Sequence, residues 1–276
     1  MPLWVTRGKI IFFAHVPKTA GSSIEEYLLR RLGPCSFIGG TAKRRDQTSL
    51  MSPPVHLSKN DLKMFVPTPM DFNFGVVRDP LARMMSEFRY QLGVSWASRL
   101  GFSTWLRIVI RAAKLDPRIY ANHIRPQVDL IMDGAEIFRL EDGFGPLIAR
   151  LDEVVGGAEP DMAVQHINKR TSGSVRHYRE DVALIRRFYA DDYAGLGYPI
   201  PDLDTLPRDI FAPARAALAR IVAPAIVILQ HYRWLHPGRA VRRRISAALP
   251  VGAGLGWIGL WLMDNDATPD FSFIWG

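Results

Sequence analysis

The feature that most constrains this chain is a strand, a short polar loop and a helix packed into residues 9 to 33. Lys9-Ile-Ile-Phe-Phe-Ala-His-Val16 is an apolar run rich in β-branched and aromatic residues and reads as a buried strand. Ile24, Leu28 and Leu32 then recur at helical spacing. Ser22-x-x-Glu25 reads as a capping box, and Gly33 stands where a helix usually stops. The intervening PKTAGSS is therefore a strand-to-helix turn whose backbone N–H groups point at whatever sits above the sheet. A helix start carrying a lysine, a glycine and three hydroxyls is an anion trap. Lys18 supplies a point charge, Gly21 a close backbone approach, and Thr19, Ser22 and Ser23 supply donors. The lysine precedes the glycine, so the G-x-x-x-x-G-K-[ST] spacing of a P-loop is not met. Alone, the stretch also reads as a capped helix start with a surface lysine.

A second unit of the same kind spans Phe72 to Phe88. Phe72–Val77 reads as a strand, Asp79 as an N-cap and Pro80 as the first helical residue. Leu81, Met84, Met85 and Phe88 line one helical face as core. Arg78 falls at the strand's carboxyl end, where ligands bind in open α/β sheets, and Ser86 about two turns down the helix. Further on, Gly93–Leu115 reads as one or two helices with Trp96, Trp105, Leu106 and Ile110 in the core. Ala135–Leu140 reads as a third strand and Leu147–Val155 as a helix.

The lysine-first PKTAGSS is similar to the 5′-phosphosulfate loop of sulfotransferases that use 3′-phosphoadenosine 5′-phosphosulfate (PAPS). Arg78-Asp-Pro-Leu-Ala-Arg83-Met-Met-Ser86 matches every fixed position of that family's R-D-P-x-x-R-x-x-S motif. The chain most resembles the branch of the Golgi carbohydrate sulfotransferases and their bacterial relatives, over roughly residues 9 to 199. The resemblance implies that Lys18, Thr19, Ala20, Gly21, Ser22 and Ser23 surround the phosphosulfate and that Arg78 and Ser86 hold the 3′-phosphate. Arg83 is equally a structural ion-pair partner. His56, in Val55-His-Leu-Ser58, is by residue type a structural histidine or a base with a suitable pKa; the family's "HLS" setting implies the catalytic base. His123, Arg125 and Gln127 fall in a stretch that in the family lies near the acceptor, and also read as a polar network at a helix start. Lys169, Arg170 and Thr171 correspond to a loop folded over the nucleotide, and Ile185–Tyr198 to the helix that closes the domain. The implied fold is an α/β, P-loop NTPase-like one: a three-layer parallel sheet with flanking helices, plus a mainly helical C-terminal extension.

The 276 residues suffice for a domain of residues 1–199 with an appendage, 200–276, and at 48% hydrophobic the core is ample. A formal charge of +8 favours an anionic ligand or surface. No recognition helix, zinc spacing or aromatic–basic interleaving points to nucleic acid. The lone Cys35 rules out a disulfide framework and a multi-cysteine metal site, and the reaction implied needs no metal. Only Met1–Gly8 precede the first strand, so no signal or anchor is expected, unlike in the Golgi enzymes, and a cytoplasmic location follows. Pro201–Pro213 reads as a linker, followed by apolar runs at Ile221–Leu229 and Ile245–Met263. A basic aromatic connector, His231 to Arg244, lies between them. This tail reads either as a hairpin lying at the inner membrane face or as a helical extension packed on the domain or a second subunit. The sequence thus points to transfer of a sulfuryl group from PAPS to a hydroxyl of a carbohydrate or lipid-linked acceptor, with His56 as base and Lys18 stabilising the phosphosulfate. A P-loop-like kinase is disfavoured by the missing G-K-[ST] and Mg²⁺ carboxylate. A non-catalytic, membrane-associated nucleotide-binding protein is disfavoured by the intact His56.

Overall fold

A computed structural model describes residues 1–36, 54–63, 69–92, 100–156 and 175–235. Within them, four strands form one sheet in the order β1 (Leu3–Thr6), β2 (Lys9–Ala14), β3 (Phe72–Val77) and β4 (Glu136–Arg139). β2, β3 and β4 run parallel, but β1 pairs antiparallel with β2. The sheet is therefore mixed, which corrects the all-parallel expectation. The cause is local: Arg7 and Gly8 both hold positive φ, 49° and 73°, as the two central residues of a tight hairpin turn require.

Helix α1 (Gly21–Leu32) follows β2. A short 3₁₀ turn (Pro54–His56) leads into α2 (Lys59–Leu62), where Ser58 and Asp61 form a reciprocal capping box. α3 (Pro80–Gln91) follows β3, with the Asp79 side chain accepting from Ala82 N at 2.8 Å and Pro80 in the first turn, as expected. Then come α4 (Phe102–Leu115), α5 (Gly145–Val155), α6 (Arg179–Phe188), α7 (Ala190–Gly195) and α8 (Ala212–Leu235). α6 and α7 replace the single closing helix expected at Ile185–Tyr198.

Helices cover both faces of the sheet. Ile11, Phe13, Phe72 and Phe74 pack against Ile24, Tyr27 and Leu28 of α1 and Leu147 and Leu151 of α5. On the other face Phe12, Ala14 and Val77 meet Met84 and Phe88 of α3, Trp105 and Leu106 of α4 and Ile185 of α6. Burying both faces is what makes the parallel strands read as continuous apolar runs.

The helix in the tail is longer than the expected apolar segment Ile221–Leu229. α8 begins at Ala212 and carries Pro224 inside it. Ala219 and Val222 pack on Ile108 of α4. Its start is fixed by a buried charge network: Arg107 of α4 binds Asp181 of α6 and lies 3.6 Å from Asp209, which in turn binds Arg215 at 2.6 Å. Such charges are tolerated inside because each has a partner. The expectations for Trp96, Lys169, Arg170, Thr171, the connector beyond Leu235 and Ile245–Met263 lie outside the described residues.

Candidate active site

The two polar loops leave the carboxyl ends of adjacent parallel strands, β2 and β3, so the motifs they carry lie side by side. The Arg78 guanidinium reaches the carbonyl of Lys18 at 3.5 Å. In the first loop Lys18 and Ala20 hold left-handed conformations, φ 70° and 64°. Such conformations turn successive N–H groups to one side and cost non-glycine residues about 1 kcal/mol each.

Several roles inside this loop change on contact with the structure. Thr19 is fully buried and donates its hydroxyl to Val16 O at 2.8 Å, so it stabilises the loop from inside. The capping box expected of Ser22 and Glu25 is absent: Ala20 is the N-cap, with no side-chain cap bond, and Ser22 is exposed. Glu25 instead binds His15 Nδ1 at 2.6 Å. Gly21 is required by that histidine, because a Cβ there would lie 2.1 Å from His15 Nε2.

His15 is the first of three histidines in a row. Its ring centroid is 5.1 Å from that of His56, which is 4.7 Å from that of His123, each pair edge to face. The outer two carry carboxylate partners, the half-buried Glu25 on His15 and the buried Glu87 on His123, the latter at 2.9 Å from Nδ1. His56 between them has none, and its Nδ1 is buried without a hydrogen-bond partner, as is Nε2 of His123. Burial, and then the positive charge available to His123, His15 and Lys18, hold the His56 pKa well below the usual histidine range. The imidazole is therefore neutral at pH 7. Burial pushes the Glu87 carboxyl up, but His123, Lys18 and the Gln91 amide outweigh it and bring the pKa down to about 2. The Lys18 ammonium lies 4.0 Å above the Tyr90 ring, which stacks on His123 at 5.9 Å. Lys18 and the histidine row thus meet through one tyrosine.

The second loop is braced from behind. Gln127, expected near the acceptor, is fully buried: its amide accepts from Arg78 N at 3.0 Å and donates to Arg78 O at 2.8 Å. It fixes the backbone of the arginine. Arg83 is also fully buried and joins two loops, donating to Pro17 O at 3.1 Å and His123 O at 2.8 Å. It holds carbonyls rather than the ion-pair partner expected of it. Glu141, at the end of β4, accepts from Asp79 N at 2.9 Å and from the Tyr198 hydroxyl at 3.0 Å. Arg78 itself is half-buried, and burial lowers its pKa first, with the nearby charge of Arg89 adding to that. Ser86 is half-buried on α3, the helix that also carries Arg89 and Tyr90.

Arg125 donates to Asn122 Oδ1 at 3.0 Å, and Asn122 donates its amide to His56 O at 2.7 Å. Tyr120, Ala121 and Asn122 are three consecutive left-handed residues, φ 50°, 54° and 68°. Glu87, Asn122 and Arg89 carry no motif and escape sequence reading. Cys35 is half-exposed and bonded to no other cysteine. Among the described residues, no group of three or more His, Cys, Asp or Glu side chains could hold a metal ion.

Residues 1–131 match the family model described as sulfotransferase family. The match covers Lys18–Ser23, His56, Arg78, Ser86 and His123, and ends before β4. Neither the curated proteins nor the solved structures contain a match.

Proposed function

We propose that the protein is a PAPS-dependent sulfotransferase of P-loop-like fold acting on a hydroxyl of a carbohydrate or lipid-linked acceptor. The observation that carries this is the meeting of PKTAGSS and RDPLARMMS at the carboxyl ends of β2 and β3 beside a buried, neutral histidine. The residues present fit the nucleotide: Lys18, the left-handed loop and Ser22 face the phosphosulfate, while Arg78 and Ser86 take the 3′-phosphate. Bound PAPS supplies the sulfuryl group. Lys18 and the loop N–H groups stabilise negative charge on the phosphosulfate side. His56 takes the acceptor's proton onto its imidazole as the hydroxyl oxygen attacks. Glu87, ionised and fixed on His123 Nδ1, supplies negative charge next to the imidazolium that forms. Arg125 and His123 border the acceptor, and Arg170 and Thr171 are assigned to the nucleotide's outer side by resemblance.

The location we propose is cytoplasmic, peripheral at an anionic membrane face. α8 is long and apolar enough to cross a bilayer over Ala212–His231, yet one side packs on α4 while Leu218, Ile221 and Ile228 stay exposed. From Ile210 to Met263 the chain has no acidic residue and seven arginines. An apolar stripe with basic flanks suits a helix lying in the interface.

Calorimetry with 3′-phosphoadenosine 5′-phosphate (PAP) and adenosine 5′-phosphate tests the function. PAP binds more tightly, and Arg78→Ala weakens it about ten- to a hundredfold, since a charge-assisted phosphate contact contributes about 1.5–3 kcal/mol. Equal affinity for the two nucleotides rejects the assignment.

A further inference from the structure

The residues that set His56 and His123 are themselves held from outside the family-matched segment. Tyr120-Ala-Asn122 is a left-handed turn without a glycine; Asn122 at its end bonds the His56 carbonyl, and its first residue is bonded by α8. Gln230 accepts from Tyr120 N at 2.9 Å and donates to Arg118 O at 3.0 Å, so its amide occupies the place of a neighbouring peptide group. The adjacent His231 ring bonds Asp116, whose carboxylate also accepts from Arg118 N and Nε. Two neighbouring residues of α8 therefore grip Asp116, Arg118 and Tyr120, the approach to the turn and its first residue.

We propose that Gln230 is a positioning residue for the catalytic histidines, so that α8 completes the active site. The path is short and made of hydrogen bonds. Gln230 fixes Tyr120; the turn fixes Asn122; Asn122 Nδ2 holds the His56 carbonyl at 2.7 Å, and its Oδ1 accepts from Arg125. The next residue, His123, has its carbonyl held by Arg83 and its ring by Glu87. The nucleotide loops have braces of their own that do not involve α8: Gln127 N donates to Asp192, and Arg83 donates to Pro17 O as well as to His123 O. Loss of the Gln230 grip lets the turn relax toward ordinary backbone angles and carries both histidines with it, while the nucleotide cradle stays. The inference rests on the sulfuryl-transfer reading only for its catalytic meaning; the positional claim stands without it.

The test uses the full chain with ¹⁵N-histidine. In Gln230→Met, of similar shape but unable to hydrogen bond, the ring ¹⁵N resonances of His56 and His123 shift or broaden, while PAP affinity stays within about twofold. PAP release from PAPS in the presence of a mixed glycan and lipid extract falls about tenfold. Gln230→Glu keeps an acceptor for Tyr120 N–H and sets a second acceptor against Arg118 O. It gives a smaller change in the same resonances and keeps the proposal testable if the methionine variant does not fold. Val222→Ala loosens α8 on α4 without touching the turn, and lowers the melting temperature with the His56 and His123 resonances unmoved. Wild-type resonances for both histidines in Gln230→Met or Gln230→Glu overturn the proposal. Failure of wild-type protein to bind PAP removes the sulfotransferase reading instead and leaves the resonances to decide the positioning.

Discussion

His56 shows how burial sets chemistry at a single residue. It sits between two carboxylate-backed histidines and has no counter-ion of its own, so it stays neutral and able to accept a proton. His56→Gln should lower turnover by about two to four orders of magnitude with PAP affinity nearly unchanged. A larger loss in His123→Gln, with His56→Gln close to wild type, would move the base to His123. The same variant has a stability consequence. The folded pKa of His56 lies below the unfolded value of about 6.5, so its contribution is complete above that pH and is lost as the pH falls below it. Between pH 7 and 5.5 wild-type protein should lose about 1 kcal/mol that His56→Gln does not, read from denaturant midpoints at both pH values. Lys18, His56 and Arg78 stand out in the sequence because each lies within a local motif, and the folded chain brings these segments together. Glu87 does not, because its histidine lies 36 residues away, and the carbonyl Asn122 grips lies 66 residues away. Such pairings exist only once the sheet has brought β2 and β3 together.

At the scale of elements, what the sequence made plain was periodicity: β3 over Phe72–Val77 and the Asp79–Pro80 start of α3 follow from pattern and capping chemistry alone. β1 was missed since Leu3–Thr6 is only four residues and one of them, Val5, is exposed at the sheet edge. The start of α1 was misread because the glutamate three residues after Ser22 satisfies the capping pattern while being bound to His15. That contact makes a sharp prediction. Gly21→Ala must push the His15 ring off its place, which should destabilise the protein by about 1–3 kcal/mol and weaken PAP binding through the adjoining loop. The double variant His15→Ala/Gly21→Ala should recover part of that stability in thermal unfolding. Additive losses would show that the ring and the glycine are independent.

For the whole molecule, basic and apolar residues are concentrated in the stretch from Ile210 to Met263. Full-length protein should sediment with vesicles containing anionic lipid. Replacing Arg242, Arg243 and Arg244 with Gln should weaken binding about a hundredfold at low salt and less at high salt, at about 1 kcal/mol per basic residue. Protein that remains in the supernatant as a monodisperse species would make the exposed stripe of α8 a packing surface. A carbohydrate acceptor free in solution would then fit better than a lipid-linked one.

The hydrogen bonds between Gln230 and the Arg118–Tyr120 turn span more than a hundred positions of chain, and this has a meaning for biosynthesis. Domains begin to form from the amino end as the ribosome works. The two polar loops and the strands that carry them are translated by residue 139, their brace Asp192 follows, and the grip on the turn waits until α8 has been translated. The turn that carries Asn122 and His123 is thus made early in synthesis and receives its contacts from Gln230 among the last of the described residues.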